Sequence, residues 1–538
     1  MFSILNSIVC ALHKENTMSW DSSMGLVKEK LPKFNDYLLR GYRQDQVNSF
    51  PDTMAVVFTE AAKLFNGKLV YKNYKLLAPE DVVSRVIENG LNKGNVNIQR
   101  SELQLYEYDF EFEGHIIPVH LYLPYMYQDA LIVGDTRYYL QLPIIERTIY
   151  RITEGVIIKV MRSPLQFWRS EQYNYKTTAG QTFFDTIITI KAFYRKSKNA
   201  SKSSKVRKTP LALYLLAHYG LDYTIQKVLG LPAEAITFVE QDVTDDPVYS
   251  YFQVRDNIYL KVDNELVLTD LNMRRFVASL LYILNMTKRC TIGDVCDTTY
   301  YKMILGRNLH NGNEKEALAA GHADSHLESL RTYLDAFSRT ELHAMGIYCN
   351  DVFELFVSVF FNIDKWLTSY TPNDLLNKRI GGADMILAEL VKTIFPRFYQ
   401  TTTARNRKLD LDSITKTLRL DPMKVNVISQ VEALRPNNDL YNDNVFTSVL
   451  VKRLRPNSSQ DNRKTKRKKV VNLINSPEHQ FHPSFLIVES PLAISSSSPG
   501  VTGDINPFAV IDSNGYFVPE EMPWYEEVRP LFNYIVNV

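Results

Sequence analysis

The sequence predicts a multidomain α+β protein, and three observations predict it. Strand-type alternation dominates the chain between residues 103 and 194, whereas apolar residues three and four apart dominate between residues 275 and 395. The length of 538 residues provides for three or four domains at roughly 100–200 residues each. Hydrophobic residues make up 45% and charged residues 23% of the chain, proportions typical of a folded globular protein rather than a disordered one.

The first part of the chain is predicted to be mainly β. Two helices, Asp52–Leu64 and Asp81–Leu91, precede a hairpin at Leu103–Leu123, in which aromatic residues alternate with carboxylates until Gly114 interrupts the pattern. This alternation is typical of two strands that share one buried face. Further strands are predicted, in chain order, at Tyr138–Leu142, Gly155–Met161 and Thr182–Tyr194.

The middle of the chain is predicted to be mainly helical, because its apolar residues recur at helical spacing. The predicted helical stretches are Arg275–Met286, Lys315–Leu334, Asp351–Leu367 and Ala383–Phe395. Three polar tracts are predicted to be loops: Lys196–Lys208, Pro456–Lys469 and the serine tract Ser495–Gly500.

The four cysteines indicate a reducing compartment. None of them forms a Cys-x-x-Cys pair, so the sequence predicts neither a disulfide framework nor a cysteine zinc site. The apolar run Phe2–Leu12 contains Asn6 and Ser7 and falls short of the roughly 20 apolar residues that span a bilayer. No membrane association is therefore expected.

Two basic tracts are candidates for nucleic-acid contact. The net charge is only +2, but the basic residues are clustered, and closely spaced cations release counterions when they meet a phosphate backbone. A solvated surface loop explains either tract as well, and the second also fits a nuclear-localisation signal. The first tract contains Lys191, Arg195, Lys196, Lys198, Lys202, Lys205, Arg207 and Lys208, and the second contains Lys452, Arg453, Arg455, Arg463, Lys464, Lys466, Arg467, Lys468 and Lys469.

Motifs for autonomous catalysis are absent from the sequence. His322 and His326 could face one side of a helix, but no third ligand follows at a suitable spacing, and surface histidines are the favoured interpretation. The chain has no Walker loop, no Gly-x-Ser-x-Gly elbow and no His-Glu-x-x-His. It also lacks an Asp-x-Asp-x-Asp triad for the Mg²⁺ pair of nucleotidyl transfer. We therefore expect a chain that is not catalytic alone.

The stretch Asp374–Ile380 resembles an element of the β subunit of bacterial multisubunit RNA polymerase. In that element an aspartate, a leucine and an asparagine precede two basic residues and a Val or Ile, matched here by Lys378, Arg379 and Ile380. Weaker matches lie on both sides of it in the family's order. They are Gly134–Leu140 with Glu146 and Arg147, Arg207–Gly220, Lys466–Lys469, His479 with His482, Val488–Ala493, and Gly503–Phe517.

The resemblance, which spans about residues 120 to 520, implies a domain organisation. Residues 1–150 and 371–440 would form a discontinuous protrusion-like domain, residues 151–370 a lobe-like domain, and residues 441–538 a fork-like region with the start of the hybrid-binding domain. Leu492 and Ala493 replace a glutamate and a glycine of the family pattern, which puts a nucleotide contact there in doubt. The matches stop where a full β subunit would continue, as in the split polymerases of giant, phiKZ-like bacteriophages, so a second polypeptide is expected to supply the remainder.

The resemblance also implies a function. The chain would be a subunit of a phage-encoded DNA-directed RNA polymerase, a nucleotidyltransferase, and would form the cleft wall and fork that contact downstream DNA and the RNA–DNA hybrid. Arg463, Lys464, Lys466, Arg467, Lys468, Lys469, Lys378 and Arg379 are the expected nucleic-acid-binding residues, and Glu489 and His482 are expected to have structural roles in the fork.

The expected partners are other chains of the same polymerase together with DNA and RNA. They include a C-terminal β-like chain, β′-like chains and, as a further candidate, a promoter-recognition subunit. In this family the aspartates that hold Mg²⁺ belong to the β′ chain, so no cofactor is expected on this one. The host cytoplasm is the expected location, and packaging in the virion stays open. The alternative is a non-enzymatic phage nucleic-acid-binding or virion structural protein.

Overall fold

The computed structural model describes most of the chain between residues 37 and 535. The described residues are 37–84, 87, 103–125, 131–133, 136–140, 142–152, 154–161, 164–191, 208–240, 247–255, 257–287, 290–309, 316–369, 374–381, 394–395, 397–398, 401–402, 409–418, 434–436, 450–453, 482–489, 502–506 and 508–535. Helices and several separate sheets are both present, which confirms the prediction of a multidomain α+β protein.

The strands are numbered along the chain. They are β1 (Leu69–Leu76), β2 (Leu103–Phe112), β3 (His115–Pro124), β4 (Leu131–Val133), β5 (Thr136–Leu140), β6 (Leu142–Glu146), β7 (Ile149–Ile152), β8 (Gly155–Ile158), β9 (Leu165–Lys176), β10 (Thr182–Lys191), β11 (Lys208–Pro210), β12 (Ile236–Val239), β13 (Tyr249–Arg255), β14 (Ile258–Asp263), β15 (Lys378–Ile380), β16 (Leu434–Pro436), β17 (Leu450–Arg453) and β18 (Thr502–Asp504).

The longer helices are numbered in the same way. They are α1 (Tyr42–Asn48), α2 (Phe50–Ala62), α3 (Leu211–Tyr219), α4 (Leu271–Asn285), α5 (Ile292–Cys296), α6 (Thr298–Leu309), α7 (Glu316–Arg331), α8 (Ala336–Ala344), α9 (Val352–Ser369), α10 (Leu411–Leu418), α11 (Phe485–Val488) and α12 (Tyr525–Ile535). Short helical turns are Tyr37–Gly41, Lys63–Phe65, Leu221–Tyr223, Thr224–Val228, Ala233–Ala235, Leu375–Asn377 and Pro519–Glu521.

The strands form five sheets within the described residues. Their strand orders are β1-β2-β3, β11-β10-β9-β8-β7, β12-β14-β13, β15-β6-β17-β18 and β16-β5-β4. The pairings are antiparallel except that of β17 with β6, which is parallel.

The predicted hairpin is formed by β2 and β3. Its turn is Glu113-Gly114, and both residues have positive φ, as a tight turn between right-twisted strands requires. The inward aromatic residues of β2 are buried against Phe58 of α2, whose ring centroid lies 5.0 Å from that of Tyr108 and 5.3 Å from that of Phe110. Burial of this aromatic face holds the sheet on α2.

One hydrophobic core is built from a single stretch of chain, and we call it the continuous core. Its buried residues run from Ile149 to Leu367. At its centre α3 is buried from Leu211 to Ala217 and packs against β10, α4, α6 and α9. A helix that is apolar on all sides is stable only where its neighbours cover every face, and these four elements do so.

The second core is assembled from three separated stretches, and we call it the discontinuous core. Its buried residues lie in the ranges 38–144, 375–418 and 487–522. The chain thus leaves this core near residue 145, forms the continuous core and returns near residue 375. The assignment of these parts to protrusion-, lobe- and fork-like domains stays a prediction.

Candidate functional site

Four of the family-like stretches meet at one place in the discontinuous core. We call this place the junction and define it as Glu146-Arg147, Asp374–Ile380, His482–Glu489 and Gly515-Tyr516. The strand β15 pairs antiparallel with β6, so that Lys378 lies opposite Glu146 and Ile380 opposite Ile144. Segments that are more than 100 residues apart in sequence are therefore hydrogen-bonded to one another.

Two hydrogen bonds hold the start of the turn Leu375–Asn377. The carboxylate of Asp374 accepts a hydrogen bond of 3.0 Å from the Leu376 backbone N–H, as a capping aspartate does at the start of a helical turn. The Leu375 N–H donates to the buried hydroxyl of Ser484 at 2.9 Å, which ties the turn to the segment before α11.

His482 lies behind this turn and is buried. Its Nδ1 is 2.8 Å from the Ser484 hydroxyl, 3.4 Å from the Asp374 carboxylate, and accepts a hydrogen bond from the Ser484 backbone N–H at 3.2 Å. Burial lowers the pKa of His482, and the Asp374 carboxylate opposes that shift. Because Nδ1 is an acceptor in this arrangement, the neutral ring with its proton on Nε2 is the form that fits.

The two basic residues of the Asp374–Ile380 stretch are paired with carboxylates. The Lys378 ammonium is 2.5 Å from Glu146, and these side chains are only 14% and 13% exposed. The Arg379 guanidinium is 3.4 Å from Glu341 of α8, which belongs to the continuous core. Lys378 therefore strengthens the discontinuous core, and Arg379 connects the two cores. Contact of either residue with nucleic acid stays a prediction.

Arg147 and Gly515 close the other side of the junction. Arg147 donates to the Leu376 carbonyl at 2.7 Å, and its guanidinium carbon lies 5.0 Å from the centre of the Tyr516 ring. Burial raises the pKa of Tyr516 to about 12. The Ile380 N–H donates to the Gly515 carbonyl at 2.8 Å, and the Tyr42 hydroxyl donates to the Ile380 carbonyl at 2.8 Å.

Gly515 is required by this geometry. Its φ is +81°, and a Cβ atom there would lie 2.2 Å from the Ile380 carbonyl oxygen and 2.5 Å from the Tyr42 hydroxyl oxygen. Only glycine combines the left-handed backbone with so close an approach.

Glu489 follows α11 and is also buried. Its backbone N–H donates to the Phe485 carbonyl at 2.9 Å, and the residue forms an isolated β-bridge with Ile505. The neighbouring Asn506 donates from its backbone to the Val488 carbonyl at 2.8 Å and from its side chain to the Ile487 carbonyl at 2.9 Å. These bonds fix the backbone of the predicted fork segment next to the turn Leu375–Asn377.

Comparison with known proteins identifies the family. The family model described as non-virion RNA polymerase subunit matches residues 27–533, nearly the whole of the 538 residues. The chain belongs to the non-virion RNA polymerase subunit family. No curated protein matches it.

The second basic tract of this polymerase subunit begins on β17 with Lys452 and Arg453, but its densest part lies outside the described residues. Arg463, Lys464, Lys466, Arg467, Lys468 and Lys469 all fall there, between β17 and His482. Of the first tract, Lys191 and Lys208 are described, and they pair across β10 and β11. The Lys208 ammonium lies 5.2 Å from the centre of the Trp168 ring and 3.8 Å from Glu171.

The two spaced histidines of the polymerase subunit lie on α7. His326 is within 3.4 Å of the buried Tyr214 hydroxyl, an internal contact rather than a surface one. Among the described residues, no group of three or more His, Cys, Asp or Glu is arranged to hold a metal ion. Within the same residues, no helix is both long and apolar enough to cross a membrane.

Three residues that hold the junction together could not be identified from the sequence. Tyr42, Ser484 and Glu341 each contact the Asp374–Ile380 stretch or its neighbours, but none lies in a recognisable motif. One signal of the junction is present in the sequence, namely the Asn514-Gly515 pair. An Asn-Gly pair predicts a turn with positive φ, and Gly515 has such a φ.

Proposed function

We propose that this polymerase subunit is the N-terminal β-like part of a phage multisubunit DNA-dependent RNA polymerase. The observation that carries the proposal is the junction. The stretches that resemble the bacterial β subunit are spread over some 370 residues, and chance matches have no reason to contact one another in space. Here Arg147, Lys378, His482 and Gly515 all serve to hold the same turn and strand.

In this proposal the subunit forms a wall of the active cleft and contributes no reacting group. Phosphoryl transfer depends mainly on positioning and on charge stabilisation. Residues 151–370, which contain the continuous core, would be the lobe over downstream DNA, residues 1–150 and 371–440 the protrusion, and residues 441–538 the fork beside the RNA–DNA hybrid. Mg²⁺ would be held by aspartates of a β′-like chain, as the resemblance implies.

The basic tract is proposed to contact phosphates. Arg463, Lys464, Lys466, Arg467, Lys468 and Lys469 would hold the template or hybrid backbone without regard to sequence and in a salt-sensitive manner. His482 and Glu489 would position the fork segment that follows. Lys378 and Arg379 would act through the shape of the junction, with any nucleic-acid contact added to their ion pairs.

The test is purification of the tagged subunit from infected cells. We expect it to co-purify with other large chains, among them a C-terminal β-like chain and a β′-like chain with an Asp-x-Asp-x-Asp loop, and the complex to incorporate ribonucleotides on a DNA template only with Mg²⁺. Recovery of the subunit alone, or only with capsid proteins, would overturn the proposal in favour of a nucleic-acid-binding or virion structural protein. A promoter-recognition subunit would be detected in the same preparation.

The role of the basic tract has its own test. Changing Lys466, Arg467, Lys468 and Lys469 to Ala should leave assembly intact but reduce transcript yield. The difference from wild type should be largest at low salt and shrink as salt rises, because about four salt-sensitive phosphate contacts are lost. The matched control changes four exposed cations elsewhere in the chain, Lys68, Lys72, Arg331 and Arg529, to Ala. Equal activity of the two variants would contradict a specific role of the tract.

A further inference from the structure

The outer face of the sheet β12-β14-β13 carries partly exposed tyrosines beside a lysine. On β13 and β14 the buried residues Phe252 and Leu260 alternate with the partly exposed residues Tyr251, Tyr259 and Lys261. The buried set packs into the continuous core. The sheet therefore turns one face inward and presents the aromatic face to solvent.

The register brings these side chains together. Tyr251 lies opposite Lys261, and Gln253 lies opposite Tyr259. The two tyrosines are therefore diagonal neighbours across the strand pair, a position in which Cα atoms are typically about 7–8 Å apart. The Lys261 ammonium lies 3.7 Å from the centre of the Tyr249 ring, which holds the cation on the same face.

A cleft of about 510 Å³ adjoins this face. It lies between the β9–β10 hairpin, β13 and the end of α4, and Gln253 and Tyr259 line it together with Tyr173, Lys176 and Asn285. The Thr178 N–H donates to the Tyr251 carbonyl at 2.8 Å, which fixes the hairpin turn against β13. The exposed Lys176 is thereby held beside the tyrosines.

The charges around the face favour a polyanion. None of the described residues that line the cleft carries a carboxylate. The nearest acid in register is Asp263, opposite Tyr249, and its carboxylate already accepts hydrogen bonds from the Glu265 and Leu266 N–H groups at 2.9 and 2.8 Å. Asp185, below the cleft, is buried and paired with Arg274.

We propose that this face and the adjoining cleft bind an unpaired nucleic-acid strand. Two successive bases stack on Tyr251 and Tyr259, and Lys176 and Lys261 contact the phosphates on either side. A sheet that displays aromatic side chains in this way suits splayed bases, because every base has a π face that can stack whatever the sequence. The inference rests on the proposed function only for the source of the strand, which in a polymerase is opened DNA or new RNA.

The test measures binding of the full chain to fluorescein-labelled oligo-dT, oligo-U and a DNA duplex of equal length by fluorescence anisotropy. Replacing both Tyr251 and Tyr259 with Ala should weaken binding of a single strand by at least about tenfold, because each base that stacks on an aromatic ring adds to the binding free energy. Replacing both with Phe keeps the rings and should keep the affinity. Tyr348→Ala removes a tyrosine that is 77% exposed elsewhere on the continuous core and should have no effect.

Two further readouts separate stacking from charge. Replacing both Lys176 and Lys261 with Gln should reduce the slope of log affinity against log salt by about 1.4, whereas the alanine pair should leave that slope unchanged. Photocrosslinking with oligonucleotides that carry 5-iodouracil should map to the peptide spanning residues 249–261. Circular dichroism of each variant establishes that the fold is retained.

The outcomes decide the proposal. Unchanged single-strand binding by a folded alanine pair, equal loss with Tyr348→Ala, tighter binding to duplex, or crosslinks confined to other peptides would each overturn it. A preference for oligo-dT over oligo-U assigns the site to a DNA strand, and the reverse preference assigns it to RNA. Failure here would leave co-purification with the polymerase unaffected, so the two proposals fail separately.

Discussion

The continuous and discontinuous cores are built in opposite ways. The first takes its buried residues from one stretch of chain, whereas the second needs three stretches, and a single hydrogen bond from Tyr42 to Ile380 spans 338 positions. Contacts between distant residues must repay the entropy of closing long loops before they stabilise anything. The discontinuous core therefore depends on the junction, while the continuous core should survive damage to it.

The largest expected effect is that of Gly515→Ala. The new Cβ would clash with the Ile380 carbonyl and the Tyr42 hydroxyl at a backbone angle that disfavours alanine, so we expect a loss of about 3–4 kcal/mol in the discontinuous core. Hydrogen–deuterium exchange followed by mass spectrometry reports the two cores separately. Protection should fall in peptides from residues 42–62 and 374–380 and stay unchanged in α3 and α9.

Gly114→Ala is the matched control for this prediction. Gly114 has the same φ of +81°, but a Cβ atom there would meet nothing within 4 Å. The backbone strain alone should cost about 1 kcal/mol. If both substitutions destabilised the protein equally, the close packing at the junction would contribute nothing beyond backbone strain.

The second prediction compares one buried ion pair from each core. Glu146→Gln leaves the Lys378 ammonium without its carboxylate in the discontinuous core. Asp364→Asn does the same to Arg275, which is only 4% exposed, in the continuous core. Burial opposes ionisation of Asp364, but hydrogen bonds from Arg275 and Arg169 lower its pKa. Each change should cost about 2 kcal/mol, because a largely buried charge loses its partner.

The expected result is that each substitution affects its own core. Glu146→Gln should increase exchange in β6 and β15, and Asp364→Asn should increase it in α4 and α9. The surface pair Arg331–Glu328 provides the control, since Glu328→Gln should change stability by less than about 0.5 kcal/mol. Loss of protection in both cores after either change would mean that the molecule unfolds as one unit.

The part of the fold that the sequence predicted is the part determined by local pattern. The hairpin of β2 and β3 follows from alternation around Gly114, and α4, α7 and α9 follow from helical spacing of apolar residues. The strand β9 was missed because its inward residues Phe167 and Tyr175 are separated by a run of polar ones. The sheet β12-β14-β13 was missed as well, although β14 alternates strictly between buried and half-buried residues.

The junction could be predicted only through resemblance to a family. Neither Ser484 nor Glu341 has a neighbour in sequence that indicates a contact with Leu375 or Arg379, since each pair is assembled by the tertiary fold. The resemblance identifies the stretch Asp374–Ile380 but not the residues that contact it. The resemblance implies a role for the positive charges of Lys378 and Arg379, and the structure shows that Glu146 and Glu341 compensate these charges.

The smallest expected effect concerns pH and distinguishes the cores once more. Burial lowers the pKa of His482 below its unfolded value of about 6.5. As the pH falls towards that value, the unfolded chain binds more protons than the folded chain. The stability contributed by the neutral ring is therefore lost as the pH falls. His482→Gln should therefore flatten the decrease in protection of peptides 374–380 and 482–489 between about pH 8 and pH 5.5, after correction for intrinsic exchange. His218 of the continuous core, stacked 3.6 Å from the Phe353 ring, also has a pKa lowered by burial, and its peptide should keep the pH dependence in the variant. An identical decrease at the junction in wild type and variant would show that His482 titrates there as it does in the unfolded chain.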